Sequence, residues 1–113
     1  MRLLLSLVFI FASHSIAAYA NNTKECADFS TKLPNLTKAI CEEAQLQPSG
    51  ARSVQGRALL VRDIRPPSPR LRVLVIGAMH GDEFSSASVA LHWLKLAQAA
   101  PESTHWRFIP VLN

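Results

Sequence analysis

Apolar residues recur along the chain at three different spacings, and each spacing predicts a different element. Residues 3–12 form an apolar run broken by Ser6 alone. Phe29, Leu33, Leu36 and Ile40 fall at helical intervals, but Pro34 sits among them and removes a backbone donor. Ala58–Ile64 is a short apolar run containing β-branched residues, which predicts a strand. In residues 71–78 the core Val73-Leu74-Val75-Ile76 is continuously apolar, the pattern of a strand buried on both faces of an α/β sheet. After Gly81 the period changes: Ala87, Ala90, Leu91, Leu94 and Ala97 line one face of a helix that Pro101 should end. Residues 105–112, rich in Trp, Phe, Ile and Val, predict a third strand.

The connections between these elements suggest a topology. Residues 47–51 shift to Pro, Ser and Gly and read as a linker. Residues 65–70 hold three prolines and must turn, so strand 58–64 is expected to pair antiparallel with strand 71–78. Strand 71–78, the helix and strand 105–112 then form a βαβ unit with a right-handed crossover.

The first twenty residues stand apart from this pattern. One cation at Arg2, the apolar run 3–12 and a small-residue close at Ala18-Tyr19-Ala20 form the layout of a secretory signal peptide cleaved after Ala20. A membrane anchor is the rival reading, but a spanning helix needs about 20 apolar residues and the run is about half that. The 113-residue chain carries a net charge of +4, and loss of Arg2 lowers it to +3, too weak to argue for nucleic acid. The apolar content excludes a disordered charged tail.

Export into oxidising conditions makes Cys26 and Cys41, the chain's two cysteines, a candidate disulfide. On one unbroken helix fifteen positions rise about 22 Å, whereas bridged Cα atoms lie within about 7 Å. A helical hairpin broken around Leu33-Pro34-Asn35 satisfies both the spacing and the bridge. The alternative is one kinked helix with two free thiols. Asn21-x-Thr23 and Asn35-x-Thr37 are glycosylation-like triplets, relevant only in a eukaryotic secretory pathway.

Chemistry is expected where the buried strand hands over to the helix, because open α/β sheets bind ligands beyond the carboxyl ends of their strands. The residues there run Gly77-Ala78-Met79-His80-Gly81-Asp82-Glu83. Gly81 would permit a sharp turn, and His80 and Glu83 can converge across it as two zinc ligands. A structural reading is also open, in which Glu83 complements the helix dipole, Asp82 caps the helix and His80 is a structural histidine; Asp82 could equally ligate the metal or orient His80. His92 falls near the polar side of the helix, and His105 reads as a strand-end residue. Trp93 and Trp106 are expected in the core. Arg52, Arg57, Arg62, Arg65, Arg70 and Arg72 form a dense cationic stretch, opposed nearby by Asp63, that reads as a solvated face.

Ser53-x-x-Gly56-Arg57, a strand, a Pro-containing loop, a buried strand and Gly77-x-x-His80-x-x-Glu83 together resemble the opening of the zinc carboxypeptidases related to carboxypeptidase A. The wording His80-Gly81-Asp82-Glu83 resembles the bacterial murein peptide amidase branch more than the digestive enzymes, and Val111-Leu112-Asn113 is similar to the family strand leading into Asn-Pro-Asp-Gly. The resemblance covers about residues 50–113. It implies an α/β fold, the start of an incomplete mixed-sheet carboxypeptidase-like domain with phosphorylase/hydrolase-like architecture. A signal peptide (1–20) and a helical lead (21–49) precede that domain (50–113).

The resemblance further implies a zinc cofactor held by two His and one Glu, with His80 and Glu83 as the first two ligands and Asp82 a spacer or supporting residue. Zinc-activated water would hydrolyse a peptide bond near the C-terminus of a peptide, murein peptides among the candidate substrates, in a secreted or periplasmic setting. No residue after Glu83 matches the third ligand, the general base or the carboxylate-binding arginines. The chain therefore reads as an N-terminal fragment, inactive alone and, with strand edges open, poorly soluble or partly folded. Two other readings are a zinc acyl-amidohydrolase of the aspartoacylase or succinylglutamate desuccinylase type, and a non-catalytic exported binding module in which His80 and Glu83 are structural.

Overall fold

The computed structural model describes residues 23–100 and 103–113. The signal-peptide reading of residues 1–20, Asn21 and the helix stop at Pro101 lie outside the described residues. Two short helices, α1 (Thr23–Lys32) and α2 (Lys38–Glu43), precede strands β1 (Gln47–Arg52), β2 (Ala58–Ile64) and β3 (Leu71–Ile76). Helix α3 (Phe84–Gln98) and strand β4 (Thr104–Ile109) follow. The result is a mixed α/β fold with one four-stranded sheet.

The lead forms a helical hairpin, one of the two arrangements that its sequence left open. The chain reverses over residues 33–37, where Asn35 takes a left-handed φ of 56°, a conformation Asn tolerates better than most residues. Thr37 then caps α2 by accepting the Ile40 N–H at 3.2 Å. Cys26 and Cys41 are joined by a disulfide with Cα atoms 5.4 Å apart, and both are buried. Leu33, Leu36 and Leu46 enter the core beside them.

Residues 47–51 are not a linker: with Arg52 they form edge strand β1, paired antiparallel with β2. Its composition is compatible with an edge because Pro48 withholds a donor where little ladder is needed, and a register shift lies between Pro48 and Arg52. The turn into β2 is Ser53-x-x-Gly56-Arg57 itself. Ser53 Oγ accepts the Arg57 N–H at 3.2 Å, the Gly56 N–H reaches the Ser53 carbonyl at 2.9 Å, and Gly56 holds φ at +77°. The motif is thus accounted for by turn chemistry.

The sheet order is β1-β2-β4-β3. The expected antiparallel pairing of 58–64 with 71–78 is therefore incorrect, because β4 inserts between them, antiparallel to β2 and parallel to β3. The parallel β3-α3-β4 unit is as expected. Every residue of the anticipated stripe on α3 is buried, with Leu91 and Leu94 about fully so, and each such leucine contributes roughly 1.5–3 kcal/mol. They pack over the face of β4 that carries Phe108, on which Trp106 stacks at 5.9 Å between ring centroids.

Two burial expectations are overturned. β3 is an edge strand covered on one face, the one that carries Val73 and Val75, leaving Leu74 and Ile76 exposed on the other at 55% and 37%. Continuous apolarity marks a capacity for two-sided burial, and no described element covers the second face. Trp93 is likewise 54% exposed, because α3 turns it away from the sheet. Trp106 is half-buried, as a residue on the covered face of β4 should be.

Candidate functional site

Beyond Ile76 the chain leaves the ladder but stays tied to it. The Gly77 N–H donates to the Ile109 carbonyl at 2.9 Å, and the Leu112 and Asn113 amides donate to the Gly77 and Ala78 carbonyls at 3.1 Å. Gly77 is the closest approach in the region: a Cβ there would lie 2.4 Å from the Pro110 carbonyl oxygen and 2.9 Å from that of Ser86. Ala78 is buried in a left-handed conformation with φ 40°. Its N–H is satisfied by Ser86 Oγ at 2.8 Å, and that hydroxyl donates to the Glu83 carbonyl at 2.8 Å. Strand end, turn and first turn of α3 are thereby joined through one serine, which the sequence reading passed over.

From this base residues 79–83 project into solvent at the carboxyl end of β3. The turn closes through the Glu83 N–H, which donates to the His80 carbonyl at 3.1 Å, so the two candidate ligands flank one hydrogen-bonded turn. His80 and Glu83 are exposed, and neither side chain has a hydrogen-bond or ion-pair partner among the described residues. Two expectations change here. Glu83, not Asp82, occupies the N-cap of α3, with no side-chain cap bond, so Asp82 does not cap the helix. Gly81 has open space around a Cβ and no left-handed φ, so the turn does not require glycine there.

The donor set fits half of a metal site: an imidazole and a carboxylate, both unengaged, on one fixed turn. Among the described residues no group of three or more His, Cys, Asp or Glu gathers. His92 lies elsewhere, exposed on α3, its ring nitrogen 3.2 Å from the Asn35 carbonyl. A shallow cavity of about 300 Å³ bordered by Ile64, Pro66, Pro67, Ala97 and Trp106 opens at the amino end of β4, the wrong end of the sheet for this turn. Arg65 is the one charged residue among the described residues lining it, so it supplies no metal ligands, and the geometry of the turn is the better guide to chemistry.

A second polar cluster was not foreseen. Asp63 on β2 accepts from His105 Nε2 at 2.8 Å and from Arg107 through two bonds at 2.9 and 2.7 Å. His105 is thus a buried sheet residue with a carboxylate partner. The Arg107 hydrogen bonds hold the Asp63 carboxyl below its ordinary 3.8; partial burial opposes them, and the His105 hydrogen bond and the Arg107 charge add to the lowering. Asp63 raises Arg107 in return, first by hydrogen bonding and then by charge. Among the cationic stretch, Arg52, Arg57, Arg65, Arg70 and Arg72 are exposed, as a solvated face requires, while Arg62 is half-buried with an unpartnered Nε.

No family model, curated protein or solved structure matches the chain.

Proposed function

We propose that His80 and Glu83 are two protein ligands of a zinc-dependent metallocarboxypeptidase that is secreted or periplasmic and cleaves near the C-terminus of peptides, murein peptides included. The observation that carries this reading is the His80–Glu83 turn, held at the carboxyl end of a parallel strand with both side chains unengaged. Open α/β sheets use that position for ligands, and the donor pair suits zinc. Bound zinc would polarise the scissile carbonyl and activate water. The chain's own contribution is to fix the two donors: Gly77 presses the strand end against Pro110 and α3, and Ser86 ties Ala78 to the start of α3. A catalytic zinc takes three protein ligands plus water, so the proposal requires a third ligand and a general base besides His80 and Glu83. Among the described residues no helix is long and apolar enough to cross a membrane.

The test is metal analysis and peptidase assay on the exported gene product, purified without chelating resin, beside His80→Ala and Glu83→Ala. The proposal expects about one zinc per chain, released C-terminal residues, and loss of both in either variant with circular dichroism unchanged. Hydrolysis confined to small N-acyl amino acids would move the assignment to the acyl-amidohydrolases. Zinc-free, inactive protein would leave the binding-module reading.

A further inference from the structure

The helical lead is fastened to α3 at several points. Ser88 Oγ, in a residue 5% exposed, donates to the Pro34 carbonyl at 2.6 Å. One turn later His92 meets the Asn35 carbonyl, and one further turn on Lys95 pairs with Glu43 at 3.4 Å. All of these acceptors belong to the reversal between α1 and α2 or to α2 itself. That reversal is closed by the Cys26–Cys41 disulfide, whose two residues are each 1% exposed. At its amino end α3 starts at Phe84, with Glu83 in the N-cap position, and through Ser86 holds Ala78. α3 is therefore a rigid rod with the disulfide-closed hairpin against its middle and the His80–Glu83 turn at its start.

We infer that the Cys26–Cys41 disulfide is an oxidation-dependent latch that orders α3 and, through it, the His80–Glu83 turn. Two thiols lose two protons and two electrons to an external disulfide, which leaves as two thiols, and the S–S bond closes the lead. Without that closure the six-residue α2 is too short to hold its shape alone, and the carbonyls of Pro34 and Asn35 are no longer presented to Ser88 and His92. Closing a loop of this length shifts the equilibrium by on the order of 100-fold. Because both cysteines are buried, reductant reaches them only after the hairpin opens, so the latch sets once, during folding, and then persists. The chain assembles its candidate site fully only where disulfides form. The latch acts on the turn whether or not a metal binds there, so its test reads backbone opening and not activity.

Hydrogen exchange followed by mass spectrometry on the oxidised protein, on Cys26→Ser/Cys41→Ser, and on Ser88→Ala/His92→Ala with the disulfide intact provides that reading. In the cysteine variant, exchange is expected to accelerate by up to about 100-fold across residues 78–98, not only within the lead. The Ser88→Ala/His92→Ala variant should accelerate the same segment by about 10-fold while its lead stays protected. Acceleration limited to residues 24–43, with 78–98 within about twofold of the oxidised protein, would show the lead to be a passenger. If the cysteine variant loses its helical circular dichroism altogether, the Ser88→Ala/His92→Ala variant decides: unchanged exchange at 78–98 overturns the latch.

Discussion

Gly77→Ala isolates the packing on which the candidate site rests. The added methyl would sit 2.4 Å from the Pro110 oxygen, 2.9 Å from the Ser86 oxygen and 3.0 Å from the Ala87 Cα. All three are backbone atoms, so no side chain can rotate away, and relief requires β3, β4 or α3 to move. Gly77 has no left-handed φ, so alanine's own conformation costs nothing and the penalty is overpacking alone. Overpacking of this kind costs about 1–3 kcal/mol, and immobile contacts on three sides place Gly77→Ala near the upper end. With a urea slope of about 1–2 kcal/mol per molar for a chain this small, the midpoint should fall by about 1.5–3 M. Gly81→Ala is the internal control, four positions on, where a Cβ meets nothing within 4 Å. It should be neutral or stabilising by up to about 1 kcal/mol. Equilibrium urea unfolding of both variants beside the parent checks the pair, and equal midpoints for Gly77→Ala and Gly81→Ala would refute the reasoning.

Other substitutions probe the remaining contacts. Ser86→Ala strands the buried Ala78 N–H and should cost about 1–3 kcal/mol in urea unfolding, with faster exchange at Ala78. Asp63 has a folded pKa below its unfolded value near 3.8, so its contribution is present above that value and is lost as pH falls through the folded pKa. Asp63→Asn should therefore lower stability at neutral pH and flatten the loss below about pH 4, as thermal melts across pH 2–7 would show. Leu74→Lys, on the bare face of an edge strand, should leave the midpoint within about 0.5 kcal/mol. The same change should raise the concentration at which light scattering detects association.

Elements whose cause is local were legible in the sequence. The Ala and Leu stripe of α3, the bounds of β2 and the break at Pro34 each follow from a few neighbouring residues, and the hairpin follows, once Cys26 and Cys41 are bridged, from comparing helix rise with bridge reach. Pairing order was not legible: the Pro-rich loop suggested a hairpin between β2 and β3, yet β4 competes for both and gains partners on each side. Composition misled at β1, where Pro and Gly mark an edge with a register shift and not a linker. The location of His80 and Glu83 at a strand-to-helix handover could be read from spacing. The roles of Ser86 and Gly77 depend on how closely β4 and α3 approach the turn. The Asp63, His105 and Arg107 cluster joins residues up to 44 positions apart, so no window of sequence displays it.

The interior position of β4 also governs the order of events as the polypeptide is made. β2 and β3 are complete long before residues 104–109 exist, and neither is the other's neighbour. Local contacts, the α1–α2 hairpin and the β1–β2 ribbon, can form early, whereas the sheet closes only after the strand that joins its halves has been synthesised. Dependence on such distant pairing slows folding. A nascent chain of this kind therefore carries its unclosed sheet through most of its synthesis, and an interruption before Thr104 would leave β3 unpaired and β2 with one open edge, both exposed to aggregation.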